Sequence, residues 1–373
     1  MGGQQRIYHL DALRCFCMLF GLALHGATIG NGPFFIAIKD ASDHFRMATF
    51  FLVSGFFSAM VLSRGGAGDF IRNRARLLLL PMLIGTLLLN PPTLWLIRLF
   101  HLGDPQATGY VNGVWRLPIS PSDFWGLNLL HLWFLATLFV YALLSPMLLA
   151  LAGARPGVAL AGMLMRVPGW LRLVLMTGAV ALCVTVMRAV SDQLLVPRLP
   201  EPMHFLVRAT MTYFAFFAAG AIGFRHRDLF ETMHRLFWPG LLLVGAAYVL
   251  HGQWAGALPH ALERASYWLL RSGFIFLIVC GLMAVARRLV TKGSPWLSRL
   301  TELVYSFYMF HFLIIYIIAN LMLNLTDNLY LIFAAILLAG FPILVAIHEK
   351  IIARSPLLML LFNGKIVRRA VPA

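Results

Sequence analysis

Charge, acidic residues and cysteine are all scarce in this chain. Asp and Glu together number 14 against 30 Lys and Arg in 373 residues, and charged residues make up only 12%. A soluble protein needs a much more charged surface, so the composition excludes a water-exposed globular fold. The four cysteines all fall in apolar stretches and lack metal-ligand spacing, which argues against both a disulfide framework and a bound metal.

Three catalytic motifs are missing as well. The sequence contains no Walker A lysine motif, no HExxH and no GxSxG. It therefore gives no support to an ATP-driven pump, a zinc protease or a serine hydrolase of the nucleophile-elbow type. We expect no permanently bound cofactor.

Long apolar stretches dominate what is present. Hydrophobic residues form 60% of the chain, and its mean hydropathy is +0.82. Stretches long enough to span a bilayer predict about ten helices. They lie near 10–30, 47–63, 77–99, 128–152, 171–190, 205–224, 237–251, 266–289, 302–322 and 329–349. The sequence predicts an all-α, polytopic membrane helix bundle that forms a single transmembrane domain over residues 1–373.

The distribution of basic residues explains the net charge of +16. If residue 1 is cytoplasmic, about two thirds of the Lys and Arg fall in inside segments, as the positive-inside rule requires. With an even number of spans, both termini are cytoplasmic, and we expect the first span to be retained. The excess charge then indicates topology and contact with anionic membrane lipids, with no nucleic acid as partner. Nine cations fall outside, among them Arg188, Arg208, Arg264 and Arg271.

The first predicted span carries three ionisable residues, Asp11, Arg14 and His25. Arg14 and His25 are eleven positions apart, which places them on one helix face and roughly 16 Å apart along the axis. Ionisable groups inside a membrane are costly and are functional candidates by default. An imidazole that titrates near neutrality suits a general base that activates a hydroxyl. The alternatives are a helix-end ion pair between Asp11 and Arg14 and a structural hydrogen bond from His25.

The second and third spans supply further candidates. Ser54 and Gly55 permit close approach of another helix, which is a packing role, and Arg46 is either an interfacial anchor or a group that meets a polar acceptor. Three arginines precede Pro81 at a predicted helix start, Arg72, Arg74 and Arg76. They are explained either by topology or by a phosphate clamp, because guanidinium groups and helix N-terminal amides both suit phosphate oxygens.

Aromatic and imidazole side chains mark the fourth and ninth spans. His131 and Trp133 open the fourth, where aromatic residues usually form an interfacial belt, and His131 fits that interpretation. Tyr308 and His311 lie deeper in the ninth span, where a belt does not explain them. These groups could instead line a cleft that accepts a carbohydrate.

Together these stretches resemble the acyltransferase-3 family of polytopic membrane proteins. The motifs are Arg14-x10-His25, Phe50-Phe51-x-x-Ser54-Gly55-Phe56, Arg72-x-Arg74-x-Arg76 before Pro81, His131-Leu-Trp133-Phe134 and Tyr308-x-x-His311. They occur in the family's order, and the resemblance runs from end to end.

The resemblance implies a multi-pass enzyme of the bacterial inner membrane. Such an enzyme moves an acyl group, succinyl or acetyl, from cytoplasmic acyl-CoA to a hydroxyl of a periplasmic or surface glycan such as an osmoregulated glucan. Acyl-CoA is then a co-substrate and the glycan is the acceptor. A homo-oligomer is possible. The alternative is a secondary transporter or exporter of a glycan or small polar solute, which uses the polar stripe of the first helix as its path.

Overall fold

The computed structural model describes residues 7–102, 129–234 and 237–366, and every regular element in those ranges is helical. Helices are the expected solution in a bilayer because they satisfy all backbone hydrogen bonds internally. Five cations that contribute to the predicted topology, Arg6, Arg116, Arg235, Arg368 and Arg369, lie outside the described residues.

The described residues of the N-terminal part, 7–102 and 129–153, form five helices. These are α1 (Tyr8–Gly26), α2 (Pro33–Leu62), α3 (Ala67–Ile84), α4 (Asn90–Leu102) and α5 (Trp133–Gly153). A π-helical turn, Gly85–Leu89, joins α3 to α4 without a break, and a 3₁₀ turn, Leu130–Leu132, leads into α5.

The remaining helices follow with short connections. They are α6 (Arg155–Arg166), α7 (Gly169–Val190), α8 (Glu201–Arg225), α9 (Arg227–Thr232), α10 (Phe237–Val249), α11 (His251–Trp254), α12 (His260–Leu289), α13 (Pro295–Leu323), α14 (Leu329–Ala346) and α15 (Pro356–Asn363). Helices α13 and α15 both begin with a Ser-Pro pair. The Ser294 and Ser355 hydroxyls accept hydrogen bonds from the amides three residues later, while proline fits the first helical position.

The predicted class is confirmed: within the described residues, nine helices are long and apolar enough to cross a membrane. The predicted segment near 237–251 forms α10, a helix of 13 residues. The predicted start of the second span was wrong, because its helix begins at Pro33 and not near residue 47. The first four turns of that 30-residue helix were missed because Lys39, Asp40 and Asp43 interrupt the apolar pattern there.

The described chain divides into two compact units. The first comprises Met1–Arg14, His44–Ile71 and Val140–Gly293, and the second Cys15–Asp43, Arg72–Phe139 and Ser294–Ala373. In the first unit, α7 packs against α8 and α12, and α10 packs on α12. The second unit has its core among the end of α1, α13 and α14, with Leu22, Phe307 and Ile336 fully buried.

Helices α2 and α8 cross in backbone contact within the first unit. A Cβ atom on Gly55 would collide with the Phe217 carbonyl oxygen, and one on Gly220 would collide with the Leu52 carbonyl oxygen. Small residues allow such contact between membrane helices, which gain van der Waals packing from it. The structure therefore shows at Gly55 the close helix approach that the sequence predicted, and a packing role for Ser54 stays a prediction.

This crossing gives a direct stability test. We expect Gly55→Ala to destabilise the protein by about 1–3 kcal/mol or more, since the added methyl group must push two backbones apart. Gly162→Ala is the matched control, because a Cβ there has nothing within 4 Å. In a helix interior that change ordinarily stabilises by up to about 1 kcal/mol. Thermal unfolding in detergent compares the two, and equal effects would contradict the close crossing.

Candidate active site

Three histidines from distant parts of the chain meet inside the second unit. The ring centroids of His25 and His311 lie 5.1 Å apart, those of His131 and His311 4.8 Å, and those of His25 and His131 6.3 Å. Phe312 covers the group, with its ring 4.7 Å from His25 and 5.5 Å from His131. The end of α1, the turn before α5 and the middle of α13 thus converge on one imidazole cluster.

The three rings differ in exposure. His131 and His311 are buried, with 6% and 4% of their surface exposed, whereas His25 is half-buried. In the described part of the chain, no group of three His, Cys, Asp or Glu side chains is arranged to hold a metal ion. Two tilted ring contacts and one edge-to-face contact define the cluster. Imidazole groups in such contact can act as acid, base or hydrogen-bonding group.

Tyr308 and His311 share a face of α13 and hold each other in place. The Nδ1 atom of His311 lies 2.8 Å from the Tyr308 carbonyl oxygen. A carbonyl can only accept, so Nδ1 carries the proton, and in the neutral ring the Nε2 atom carries the lone pair. The backbone of α13 therefore selects the tautomer of His311.

His131 is placed by its backbone. Leu130 has a φ of 43°, an uncommon left-handed conformation for a non-glycine residue, at the start of the turn that precedes α5. The Tyr308 hydroxyl donates to the His131 carbonyl at 2.8 Å, and the two rings are 5.2 Å apart. The interpretation of His131 as an interfacial belt residue is therefore wrong. The turn directs its side chain into the protein, where it packs against His311.

The backbone at His25 is held by a chain of hydroxyl groups. The Thr28 hydroxyl donates to the His25 carbonyl at 2.6 Å and lies 2.9 Å from the Tyr316 hydroxyl. Because Thr28 has already used its one proton, Tyr316 must donate to it. His101 Nε2 lies 3.4 Å from the same Tyr316 oxygen. The chain connects α4 and α13 to the end of α1 and fixes the residue that bears the half-buried imidazole.

Asp11 and Arg14 lie in the first unit. They form the helix-end ion pair that was one of the alternatives predicted from the sequence. Arg14 Nη2 is 3.5 Å from Asp11 Oδ1, and its guanidinium lies 5.6 Å from the centroid of the Phe57 ring. Asp11 is buried and Arg14 half-buried. Arg14 therefore has a carboxylate and an aromatic face that orient it, and a third of its side chain stays exposed.

Arg46 and Ser54 also belong to the first unit, on α2, and both are half-buried. In the structure Arg46 follows Pro33 by thirteen residues, or about 20 Å of helix, so it lies in the middle of α2. Its predicted position at the outer end of the membrane span stays a prediction. Trp133 is the first residue of α5 in the second unit, where it packs edge to face on Phe134.

The three arginines of α3 do not stand at a helix start. The helix begins at Ala67, so its unpaired amides belong to the first turn and not to Arg72, Arg74 or Arg76. Arg72 and Arg76 are one turn apart on a shared face, with Arg74 on the opposite side. Arg76 Nη2 donates to Asn73 Oδ1 at 2.6 Å. The prediction of a phosphate clamp therefore rests on the guanidinium groups and gains no support from helix N-terminal amides at these positions.

Sequence reasoning missed two features of the site. Each histidine was singled out, but nothing in the linear order indicated that all three would touch. Thr28, His101 and Tyr316 were not considered, although a hydroxyl or imidazole within an apolar stretch is a usable signal.

A multi-helix membrane protein with a buried imidazole cluster is the class that the fold and site define. Residues 7–348 match the sequence model of the acyltransferase-3 family, described as "Acyltransferase domain". The chain belongs to this family and is a multi-pass membrane acyltransferase. The match runs through parts of both compact units, and a single transmembrane domain stays a prediction.

Curated relatives extend the comparison to the whole chain. "Glucans biosynthesis protein C" of Escherichia coli O139:H28 (strain E24377A / ETEC) is 25% identical over 98% of this chain and 96% of its own length. The protein of the same name from Salmonella gallinarum (strain 287/91 / NCTC 13346) is 25% identical over 96% of this chain and 95% of its own. That of Shigella dysenteriae serotype 1 (strain Sd197) is also 25% identical, over 98% and 96%. No solved structure matches the chain.

Proposed function

We propose that this protein is an O-acyltransferase of the bacterial inner membrane. It moves a succinyl or acetyl group from cytoplasmic acyl-CoA to a hydroxyl of a periplasmic or surface glycan. Membership of the acyltransferase family supports transfer over transport, and relatives named for glucan biosynthesis support a glycan acceptor. The observation that carries the proposal is the cluster of His25, His131 and His311, with His25 alone half-buried.

In this mechanism neutral His25 is the general base. It accepts the proton of the sugar hydroxyl as that oxygen attacks the thioester carbonyl carbon. The carbon–sulfur bond then breaks, and the proton passes from the imidazolium to the thiolate. The products are the ester and free coenzyme A. His25 is assigned this role because its partial exposure leaves it reachable, whereas the other two rings are buried.

The other two histidines orient the base. The Nε2 lone pair of His311, set by the bond from Nδ1 to the Tyr308 carbonyl, is suited to accept a hydrogen bond from an imidazolium. Together with Tyr308 and Trp133 they would form the acceptor side of the site, with Arg46 as a further acceptor contact. On the donor side, Arg72, Arg74 and Arg76 would bind the nucleotide phosphates. Arg14, with Asp11 and Ser54, would steady the donor arm.

Tyr308→Phe separates orientation from chemistry. The change removes only the hydroxyl that donates to the His131 carbonyl. Loss of one such bond, about 0.5–1.5 kcal/mol, should lower kcat by roughly two- to tenfold and leave KM for acyl-CoA unchanged. Initial rates at varied acyl-CoA measure both constants. A loss as deep as that of a His25 variant would instead place the phenol in the reaction itself.

The function is tested with the purified protein in liposomes, radiolabelled acyl-CoA and a glucan acceptor. We expect label to move to the glucan only when protein, thioester and acceptor are all present. Mass spectrometry of periplasmic and surface glycans from cells with and without the protein then identifies the acyl group. Passage of intact glycan across the liposome membrane without any thioester requirement would favour a transporter and overturn the proposal.

A further inference from the structure

A second concentration of charge lies in the first unit, among residues that the proposed acyl-transfer site does not use. Asp192 accepts from three arginines on three helices. Its Oδ1 is 3.0 Å from Arg208 Nε, and its Oδ2 is 3.2 Å from Arg188 Nη2 and 3.0 Å from Arg264 Nη2. Asp192 sits in a π-helical turn, Ser191–Leu195, that continues α7. Such turns are rare and occur frequently at functional sites.

Positive charge exceeds negative charge in this cluster. One carboxylate faces three guanidinium groups, and the neighbouring acid Glu263 lies beside His260 at 3.7 Å. The Nε–H of Arg188 is buried and, among the described residues, has no hydrogen-bond acceptor. A buried donor without an acceptor costs about 1–3 kcal/mol unless a ligand or water fills the position. The cluster therefore offers an anion both excess positive charge and a buried donor.

Trp268 completes one wall of the cluster. The guanidinium of Arg188 lies 4.4 Å from the Trp268 ring centroid, and that of Arg271 lies 5.4 Å from it. The cation–π contact with Trp268 thus holds Arg271, a fourth arginine, at the site. Arg188, Asp192, Arg264 and Trp268 all line one small pocket of about 170 Å³.

Topology does not account for these cations. Arg188, Arg208, Arg264 and Arg271 belong to the minority that the positive-inside pattern assigns to outside loops and outer helix ends. The Arg208 and Arg264 side chains are partly exposed and could serve solubility, but that of Arg188 is mostly buried. Asp192 balances one of these four guanidinium groups, and the excess positive charge suits a bound anion.

An apolar cleft of about 560 Å³ adjoins the pocket along α7 and α12, with α10 as its third wall. Rows of residues four apart, which are neighbours on a helix surface, run from the cleft into the pocket on both helices. On α7 the row is Thr177, Ala181, Thr185, Ala189 and Gln193, and on α12 it is Leu277, Gly273, Leu269, Ala265 and Ala261. Exposed apolar side chains, among them Trp170, Val174 and Leu243, border the cleft.

We propose that this cleft and pocket bind an anionic phospholipid of the surrounding membrane. The phosphate would lie among Arg188, Arg208 and Arg264, and the hydrocarbon chains would lie in the apolar cleft. Charge complementarity selects the headgroup, because basic pockets between membrane helices suit anionic lipid headgroups. The continuity of cleft and pocket selects an amphiphile over a soluble anion. The proposal does not depend on the acyl-transfer site.

Native mass spectrometry of the purified full-length protein tests the proposal, with phosphatidylglycerol and phosphatidylcholine as the added lipids. We expect the parent protein to retain phosphatidylglycerol selectively. Arg264→Gln should weaken that binding about fivefold, with a similar further loss in the Arg188→Gln, Arg264→Gln double variant. Arg198→Gln is the matched control, because this exposed arginine lies near the same end of α7 and outside the pocket.

A second variant tests the cleft without touching charge. Gly178 lines it, and a Cβ there has nothing within 4 Å, so Gly178→Leu should fill the cleft without disturbing its neighbours. The Gly178→Leu variant should lose the lipid. The Gly162→Leu variant, at an equally open position outside the cleft, should keep it. Equal retention of both lipids, or equal losses in variants and controls, would overturn the proposal. So would displacement of the lipid by a soluble acidic glycan or a lipid-linked sugar phosphate.

Discussion

Replacing His25 by alanine is expected to lower the rate of acyl transfer by about 10²–10⁴-fold, the usual contribution of a general base. The ring is half-buried beside His131 and His311, so its removal leaves a small space and no broken backbone hydrogen bond. The Thr28 hydroxyl still donates to the carbonyl of residue 25 in the variant. The loss should therefore appear in kcat, measured with labelled acyl-CoA and glucan, at an unchanged melting temperature.

The control for this variant is His204→Ala. His204 is also a half-buried histidine, in the long apolar helix α8, and its Nε2 lies 2.9 Å from the Leu199 carbonyl oxygen. If imidazole chemistry resides in the cluster, His204→Ala should retain transfer close to the parental rate. His25→Ala protein that acylates acceptor at the parental rate would remove His25 from the mechanism.

Removing the arginines of α3 should weaken donor binding and leave chemistry intact. With Arg72, Arg74 and Arg76 all changed to alanine, we expect KM for acyl-CoA to rise by about 10- to 100-fold, because hydrogen bonds to phosphate are charge-assisted. At saturating donor, kcat should stay near the parental value. Equilibrium binding of coenzyme A to the purified variant gives the same answer without turnover.

The helix geometry sharpens that experiment. Arg72 and Arg76 share a face, and Asn73 orients the Arg76 guanidinium. The double variant of those two should account for most of the lost affinity, and Arg74→Ala for little. Arg64→Ala is the matched control, since it removes an exposed arginine from the preceding turn. Unchanged coenzyme A binding in the triple variant would refute the clamp.

Much of the architecture could be predicted because hydrophobicity and helix length are local properties. Nine of the predicted spans appear as long helices, with errors where polar residues interrupt the pattern, as Lys39 and Asp43 do in α2. The start of α3 was misplaced for a similar reason. Gly65 and Gly66 precede Ala67, and the charged first turns of the helix looked like a loop.

The site itself was predicted only residue by residue. His25, His131 and His311 stood out because a polar group in an apolar stretch needs a reason. Their contact could not be read from the chain, because the turn at Leu130 that directs His131 inward depends on the hydroxyl of Tyr308, 177 residues away in sequence. The same holds for Thr28 and Tyr316, whose pairing crosses 288 positions.

The sequence by itself determined that this protein is a helical membrane bundle and which side chains are out of place in hydrocarbon, since both follow from composition and spacing along one helix. Only the tertiary structure decided which of them meet. It gathered three imidazoles around α13 and drew four arginines to Asp192 and Trp268. The physical reason is that helix packing is set by many weak contacts between distant segments, and no local pattern records their sum.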